Sequence, residues 1–173
     1  MPISTVPFLI AALPSGDLDR IRAAGVDDLG NPLMPFVEAA GGSPLRCCLR
    51  ESRPSERVVL IAYRPFPWSG PYAESGPVFI HAERCEGYSE PSRYPEGFAR
   101  RRQLLRACDH DHRICDALVV NIGTQAERTL PWLLSRPEVD FVHSRNVEWG
   151  CYMFTVSRSD DSRPDRATAL RLR

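Results

Sequence analysis

The sequence contains no lysine, because all 22 of its basic residues are arginine. This absence excludes enzymes that form a Schiff base through lysine and nucleotide-binding proteins that need a P-loop lysine. Long apolar runs are missing too: Val58–Ala62 is typical, whereas a membrane-spanning helix needs roughly 20 apolar residues. We therefore expect no membrane partner. The first residues lack the basic start and unbroken apolar stretch of a secretory signal, which favours a cytoplasmic location.

Several signature motifs of enzymes and metal sites are also absent. The chain has no G-x-S-x-G, G-x-G-x-x-G, Walker A or H-E-x-x-H sequence. It has no C-x-x-C pair, a common signature of zinc ribbons and thioredoxin-like proteins. Basic and acidic residues are equal in number, 22 of each, so nucleic acid is not an expected partner.

The pattern of apolar residues and turn residues favours an α+β domain. Short β-branched runs that come in pairs predict strands and hairpins at 57–64, 76–82, 103–108 with 114–121, and 139–146 with 150–158. Two or three short helices are expected, including one after Ser15 that stops at Gly25 and one over 124–135. We predict a mostly antiparallel sheet in a single domain over 1–158, followed by a polar, frayed tail at 159–173.

Six cysteines in a chain of 173 residues raise the question of their role. In a small secreted protein they would form disulfides, but here we expect reduced thiols that fill the core or belong to a site. Two of them are adjacent, in the segment 45–50 (LRCCLR), which alternation predicts as a strand. That strand would place Arg46 and Arg50 on one face, where they suit a carboxylate or phosphate or are simply solvated.

The segment 70–85 (GPYAESGPVFIHAERC) holds the densest set of reactive side chains. It ends in His81 and Cys85, just after a predicted strand. If 139–146 and 150–158 pair as a hairpin, His143 and Cys151 lie nearly opposite each other. Zinc prefers imidazole and thiolate ligands, so one hypothesis is a zinc site of His81, Cys85, His143 and one of Cys47, Cys48 or Cys151. The polar turn 109–112 (DHDH) is interpreted as a hairpin tip rather than a metal site.

A second hypothesis is a thiol-dependent enzyme. Cys85 would be the nucleophile and His81 or His143 the base, with Arg145 favouring the thiolate. Glu74 or Asn146 would orient the histidine.

The leading hypothesis needs no bond-making. A pocket for a small anionic ligand would be lined by groups that suit carboxylate or phosphate oxygens, with candidate residues Arg46, Arg50, Tyr72, Glu74, Arg145 and Asn146. The remaining possibility is a structural or protein-interaction module, in which the thiols fill the core and the arginines pair with Glu74, Glu83 or Glu148.

Four segments together resemble a known family. They are GGSPLRCCLR, YRPF, GPYAESGPVFIHAERC and VHSRNVEWGCYMF, and they span about residues 40–158. This succession is similar to a bacterial family catalogued as domain of unknown function 1203. The resemblance implies that the chain is one domain, and it assigns no activity, cofactor or catalytic residue.

Overall fold

The computed structural model describes residues 6–159. Within this range the chain forms ten strands, two helices and a 3₁₀ turn at Glu96–Phe98. The elements are β1 Phe8–Ala11, α1 Ser15–Ala24, β2 Phe36–Val37, β3 Pro44–Leu45, β4 Arg50–Glu51, β5 Arg57–Tyr63, β6 Gly76–His81, β7 Gln103–Cys108, β8 Ile114–Val120, α2 Gly123–Ser135, β9 Phe141–Asn146 and β10 Tyr152–Arg158. The predicted tail lies outside the described residues except for Ser159.

The strands form two five-stranded sheets. Sheet 1 has the order β1-β10-β9-β7-β8 and is antiparallel throughout. Sheet 2 has the order β2-β5-β6-β3-β4 and contains one parallel pair, β3 with β6. The α+β class and the mostly antiparallel pairing predicted from the sequence are therefore confirmed, although the strands divide between two sheets instead of forming one.

Each sheet buries its own hydrophobic core. Helix α2 packs Leu130, Leu133 and Leu134 into the core of sheet 1. Helix α1 buries Leu18 and Ile21 against sheet 2, and it ends where Gly25 adopts the left-handed conformation that was expected of its stop signal. Tyr152 of β10 joins the core of sheet 2, so the two cores meet at that strand. Neither helix within residues 6–159 is long and apolar enough to cross a membrane.

The hairpin tip at Asp109–His112 is a polar turn, as predicted. One carboxylate oxygen of Asp109 accepts hydrogen bonds from the backbone N–H groups of Asp111 and Arg113, at 2.9 and 2.8 Å. His112 adopts a positive φ of 64° and stacks on Trp68. The aspartate therefore closes the turn, a role for which turns select this residue.

The predicted strand over LRCCLR is wrong. Strand β3 stops at Leu45 and β4 starts at Arg50, and the residues between them form a turn in which Leu49 N–H donates to Leu45 O at 3.0 Å. Because β3 and β4 pair antiparallel, the chain must reverse here and side-chain alternation is lost. Arg46 is consequently buried, 1% exposed, whereas Arg50 reaches the surface of the site described below.

Candidate metal centre

The turn between β3 and β4 presents two adjacent thiols. Cys47 is buried and Cys48 is half-buried. The turn is tied to β6 because Arg46 N–H donates to Phe79 O at 2.9 Å, next to the parallel pairing of Leu45 with Phe79. This pairing places the turn beside the end of β6.

The end of β6 supplies the other two side chains. His81 is the last residue of the strand, and its backbone N–H donates to the Cys47 sulfur at 3.3 Å. Arg22 of α1 donates to the carbonyl oxygens of His81 and Ala82, at 3.0 and 3.2 Å, and so fixes where the strand ends. Cys85 follows four residues later on the loop that leaves β6.

The four side chains converge on one point. We call Cys47 Sγ, Cys48 Sγ, His81 Nδ1 and Cys85 Sγ the donor cluster. All four atoms lie within 4.8 Å of one another. Nδ1 of His81 lies 3.4 Å from the Cys47 sulfur and 3.8 Å from the Cys48 sulfur, and the two sulfurs are 4.0 Å apart.

These separations match a tetrahedral metal site. With zinc bonds of about 2.3 Å to sulfur and about 2.0–2.1 Å to nitrogen, a regular tetrahedron places its sulfurs about 3.8 Å apart and its sulfur and nitrogen about 3.6 Å apart. The donor cluster could therefore hold one metal ion with only small side-chain adjustments, and three thiolates with one imidazole is a ligand set that zinc uses.

The far side of the His81 ring faces an ion pair. Nε2 lies 3.2 Å from an Arg50 guanidinium nitrogen and 3.7 Å from a carboxylate oxygen of Glu56. Arg50 holds Glu56 through two hydrogen bonds of 2.7 and 3.0 Å, and Arg53 N–H adds a third at 2.8 Å. The Arg50 bonds lower the pKa of Glu56 to about 2, so an ionised carboxylate stands behind the imidazole. A carboxylate in this position is typical of metal-binding histidines, whose ring it orients.

The electrostatics of the donor cluster favour separated charges. Hydrogen bonding to Cys47 and Cys85 raises the pKa of His81 to about 10. Hydrogen bonds from Cys47, Cys48 and His81 lower the pKa of Cys85 well below its ordinary value, whereas hydrogen bonding to Cys47 and Cys85 raises the pKa of Cys48. The thiolate form is therefore favoured at Cys85 and disfavoured at Cys48, and the protonated form of the His81 imidazole is favoured.

Two cavities adjoin the donor cluster. The larger measures about 400 Å³ and is lined by Cys48, His81 and Cys85 together with charged side chains that include Arg50, Arg57, Arg84, Glu56 and Glu83. The smaller measures about 270 Å³ and is lined by Cys47 and Cys85. Cys85 lines both cavities, so small molecules reach this sulfur from either one.

The second predicted histidine lies elsewhere. His143 is 2% exposed and packs against the rings of Phe66, Phe141 and Tyr152 in sheet 1. Burial lowers its pKa to about 3. The expectation that Cys151 lies opposite His143 is wrong: in the register of β9 with β10, Thr155 lies opposite His143, and the backbone oxygen of Cys151 accepts the Asn146 N–H at 2.9 Å. His143 lines neither of the two cavities, and the donor cluster contains both Cys47 and Cys48, whereas the sequence hypothesis had His143 and only one of Cys47, Cys48 or Cys151.

The arginines predicted to bind an anion are engaged by groups of the chain itself. Arg46 donates to Tyr152 O at 2.8 Å and to the Cys151 sulfur at 2.9 Å. Arg145 and Arg106 both donate to the carboxylate of Glu74.

The remaining predicted ligand residues, Asn146 and Tyr72, line neither cavity beside the donor cluster. The side chain of Asn146 accepts the Trp149 N–H at 2.9 Å and so closes the turn after β9. Tyr72 is 44% exposed. The binding of a small anionic ligand by the predicted set stays a prediction.

The sequence hypotheses did not include Glu56 and Arg22. Arg22 acts through hydrogen bonds to backbone oxygens and Glu56 through its contact with the His81 ring, and no sequence motif indicates either contact. The adjacency of Cys47 and Cys48 was the signal available in the sequence. Adjacent side chains on a strand point to opposite faces, so both thiols can approach one atom only if these residues form a turn instead of a strand.

Comparison with known proteins assigns a family to the part of the chain that carries the site. No curated protein and no solved structure matches the chain. One family model matches residues 42–158, which is more than half of the chain and includes Cys47, Cys48, His81, Cys85 and Glu56. The chain therefore belongs to the family described as Protein of unknown function (DUF1203).

Proposed function

We propose that this protein is a metal-binding domain that holds one Zn²⁺ ion through Cys47, Cys48, His81 and Cys85. The observation that carries the proposal is the convergence of three sulfurs and one imidazole nitrogen within 4.8 Å. Two chain segments that are distant in sequence, residues 47–48 and residues 81–85, supply these atoms, so chance adjacency along the chain does not explain it.

The ligand chemistry selects the kind of metal. Sulfur and imidazole donors suit zinc and other soft or borderline ions, whereas Ca²⁺ and Mg²⁺ require oxygen ligands. An iron–sulfur cluster with several irons needs cysteines spread around the cluster. All four donor atoms here instead lie close enough to share a single ion.

Charge balance also supports the proposal. Three thiolates around a dication leave one net negative charge, and Arg50 stands next to the cluster to offset it. The hydrogen bond to Glu56, with smaller contributions from nearby Cys48 and Cys47, raises the pKa of Arg50 and keeps it cationic. The ionised carboxylate of Glu56, 3.7 Å from Nε2, supplies negative charge beside the N–H that His81 carries there when Nδ1 binds the metal.

The site is preformed by the fold. Buried residues on both sides of the ligands, such as Leu45 and Ile80, belong to the core of sheet 2, and strand pairing holds the turn against β6. Zinc fingers differ, because they lack such a core and unfold without metal. We therefore expect this domain to stay folded when the metal is removed.

Thiol chemistry at Cys85 is the second candidate function. The observation that favours it is the Cys85 sulfur within 4.8 Å of the His81 ring nitrogen, next to a cavity of about 400 Å³, where the pKa of Cys85 is lowered and the pKa of His81 is raised. This arrangement is that of an activated nucleophile, which needs a lowered thiol pKa and access for a substrate. Labelling with an alkylating reagent at mildly acidic pH should then modify Cys85 before the other cysteines.

Metal analysis of the purified protein tests the first candidate. We expect close to one zinc per chain after reconstitution and dialysis, and a thiolate-to-metal absorption band when Co²⁺ replaces Zn²⁺. Cys115→Ser is the matched control, because Cys115 lies on β8 outside the donor cluster and should leave the stoichiometry unchanged. A stoichiometry near zero in reduced protein would remove metal binding as the function.

A further inference from the structure

We propose that the donor cluster is an oxidant-sensitive switch in which a peroxide joins Cys85 to Cys48 as a disulfide and thereby releases the metal. This inference rests on the proposed metal binding and adds its regulation. It concerns which two sulfurs react, why the third does not, and what happens to the ion.

Access separates the three thiols. Cys48 and Cys85 both line the larger cavity, where a small oxidant can approach their sulfurs. Cys47 lines only the smaller cavity, is 4% exposed and belongs to the core of sheet 2, and its sulfur also accepts the His81 backbone N–H. The two thiols that an oxidant in the larger cavity can reach are therefore those of Cys48 and Cys85.

Geometry excludes the adjacent pair as the product. Consecutive Cα atoms are about 3.8 Å apart, whereas the Cα atoms of a relaxed disulfide are usually about 4.4–6.8 Å apart. A bond between Cys47 and Cys48 would therefore be strained. Cys85 lies in a different segment and carries no such restriction.

The loop that carries Cys85 can move when its sulfur bonds to Cys48. Strand β6 ends at His81, so Cys85 lies outside the regular strand pairing. The neighbouring side chains of Glu83 and Arg84 are 61% and 73% exposed, so a displacement of this loop disturbs no buried packing by these residues. The sulfurs of Cys48 and Cys85 need to close from within 4.8 Å to a bond length of about 2.05 Å.

The chemistry proceeds in two steps. The Cys85 thiolate attacks one oxygen of hydrogen peroxide, so that an S–O bond forms, the O–O bond breaks and hydroxide leaves. The Cys48 thiolate then attacks the Cys85 sulfur, so that the S–S bond forms, the S–O bond breaks and a second hydroxide leaves. The two sulfurs lose two electrons, the two peroxide oxygens gain them, and solvent protonates both hydroxides to water.

Loss of two thiolates removes the metal from the site. After the disulfide forms, Cys47 and His81 remain as the only members of the donor cluster that can bind the ion. A neutral disulfide is a poor ligand for zinc, since the thiolate is the form that binds metals. A reductant with two thiols restores both thiolates and with them the full site.

The test uses the full-length, zinc-loaded protein titrated with hydrogen peroxide. Released zinc is followed with a chelating dye, and disulfides are mapped by mass spectrometry of peptides. We expect zinc release to rise in parallel with a Cys48–Cys85 linkage, and dithiothreitol with added zinc to restore binding. Cys115→Ser should behave as the unaltered chain does.

Two results would overturn the switch while leaving metal binding intact. One is zinc that stays bound after peroxide has been consumed; the other is zinc release with disulfides that do not join Cys48 to Cys85. A protein that takes up no zinc when fully reduced overturns the proposed function itself. Disulfide mapping in the unaltered chain needs no substitution, so loss of folding in a cysteine variant does not affect the outcome.

Discussion

The two histidines predicted from the sequence as candidate site residues, His81 in sheet 2 and His143 in sheet 1, have opposite environments. His81 contacts thiols and an ionised Glu56, and its pKa rises to about 10. His143 is enclosed by aromatic rings, and its pKa falls to about 3. Its Nδ1 atom is buried without a hydrogen-bond partner among residues 6–159. The difference shows that packing decides whether a strand histidine serves a site or a core.

Removing a ligand should produce the largest effect. We expect His81→Ala to lower zinc affinity by more than about 100-fold, because the loss of a contact behind a ligand already costs about 10- to 100-fold. Competition with a chromophoric chelator measures it. His143→Phe is the matched control and should leave zinc affinity unchanged. Equal losses in both variants would mean that the two histidines do not differ in the way described.

Acid should destabilise the protein through His143. Its folded pKa of about 3 lies below the unfolded value of 6.5, so only the unfolded chain takes up a proton between these values. The stabilisation is complete above pH 6.5 and is lost as the pH falls toward 3, at about 1.4 kcal/mol per pH unit. Denaturant unfolding of the metal-free protein at pH 6 and pH 4 should show a loss of about 2–3 kcal/mol from this residue.

His143→Phe isolates this contribution. The phenylalanine ring fills a similar space among the aromatic side chains and does not titrate, so the variant should lose less stability between the two pH values. His110→Gln, at the exposed hairpin tip, is the control and should follow the unaltered protein. A pH dependence unchanged by His143→Phe would contradict the assignment.

Removing the carboxylate behind His81 should have an intermediate effect. We expect Glu56→Gln to weaken zinc binding by about 10-fold, because a neutral amide supplies no negative charge beside the Nε2–H group and no longer orients the ring. Glu83→Gln lines the same cavity without contact to His81 and serves as the control. Isothermal titration or chelator competition distinguishes the two, and similar affinities in both variants would remove Glu56 from the site.

The smallest effect is expected at the ion pairs that join Glu74, just before β6, to Arg106 and Arg145 of sheet 1. Glu74→Gln should lower the free energy of unfolding by about 1 kcal/mol or less, since the carboxylate is 38% exposed and water replaces part of the lost interaction. Zinc affinity should stay the same. A change in zinc affinity in this variant would mean that Glu74 acts on the donor cluster, although its carboxylate is bonded to Arg106 and Arg145 of sheet 1.

Local patterns in the sequence were enough to predict most of the elements. The β-branched run at Arg57–Tyr63 and the stop at Gly25 after α1 are examples, since short-range sterics and burial act within a few residues. The α+β class follows from the same signals. His81 and Cys85 were singled out because reactive side chains are concentrated after one strand.

The assembly of the site depended on contacts between distant segments. Alternation predicted a strand through Cys47 and Cys48, but the antiparallel pairing of β3 with β4 turns the chain there and directs both thiols toward β6. The register of the β9–β10 hairpin likewise places Thr155, and not Cys151, opposite His143. Residue types set which chemistry the chain can perform, because donor atoms are a property of side chains. Only the tertiary structure decided which donors meet, because pairing and register are settled by burying two cores at once.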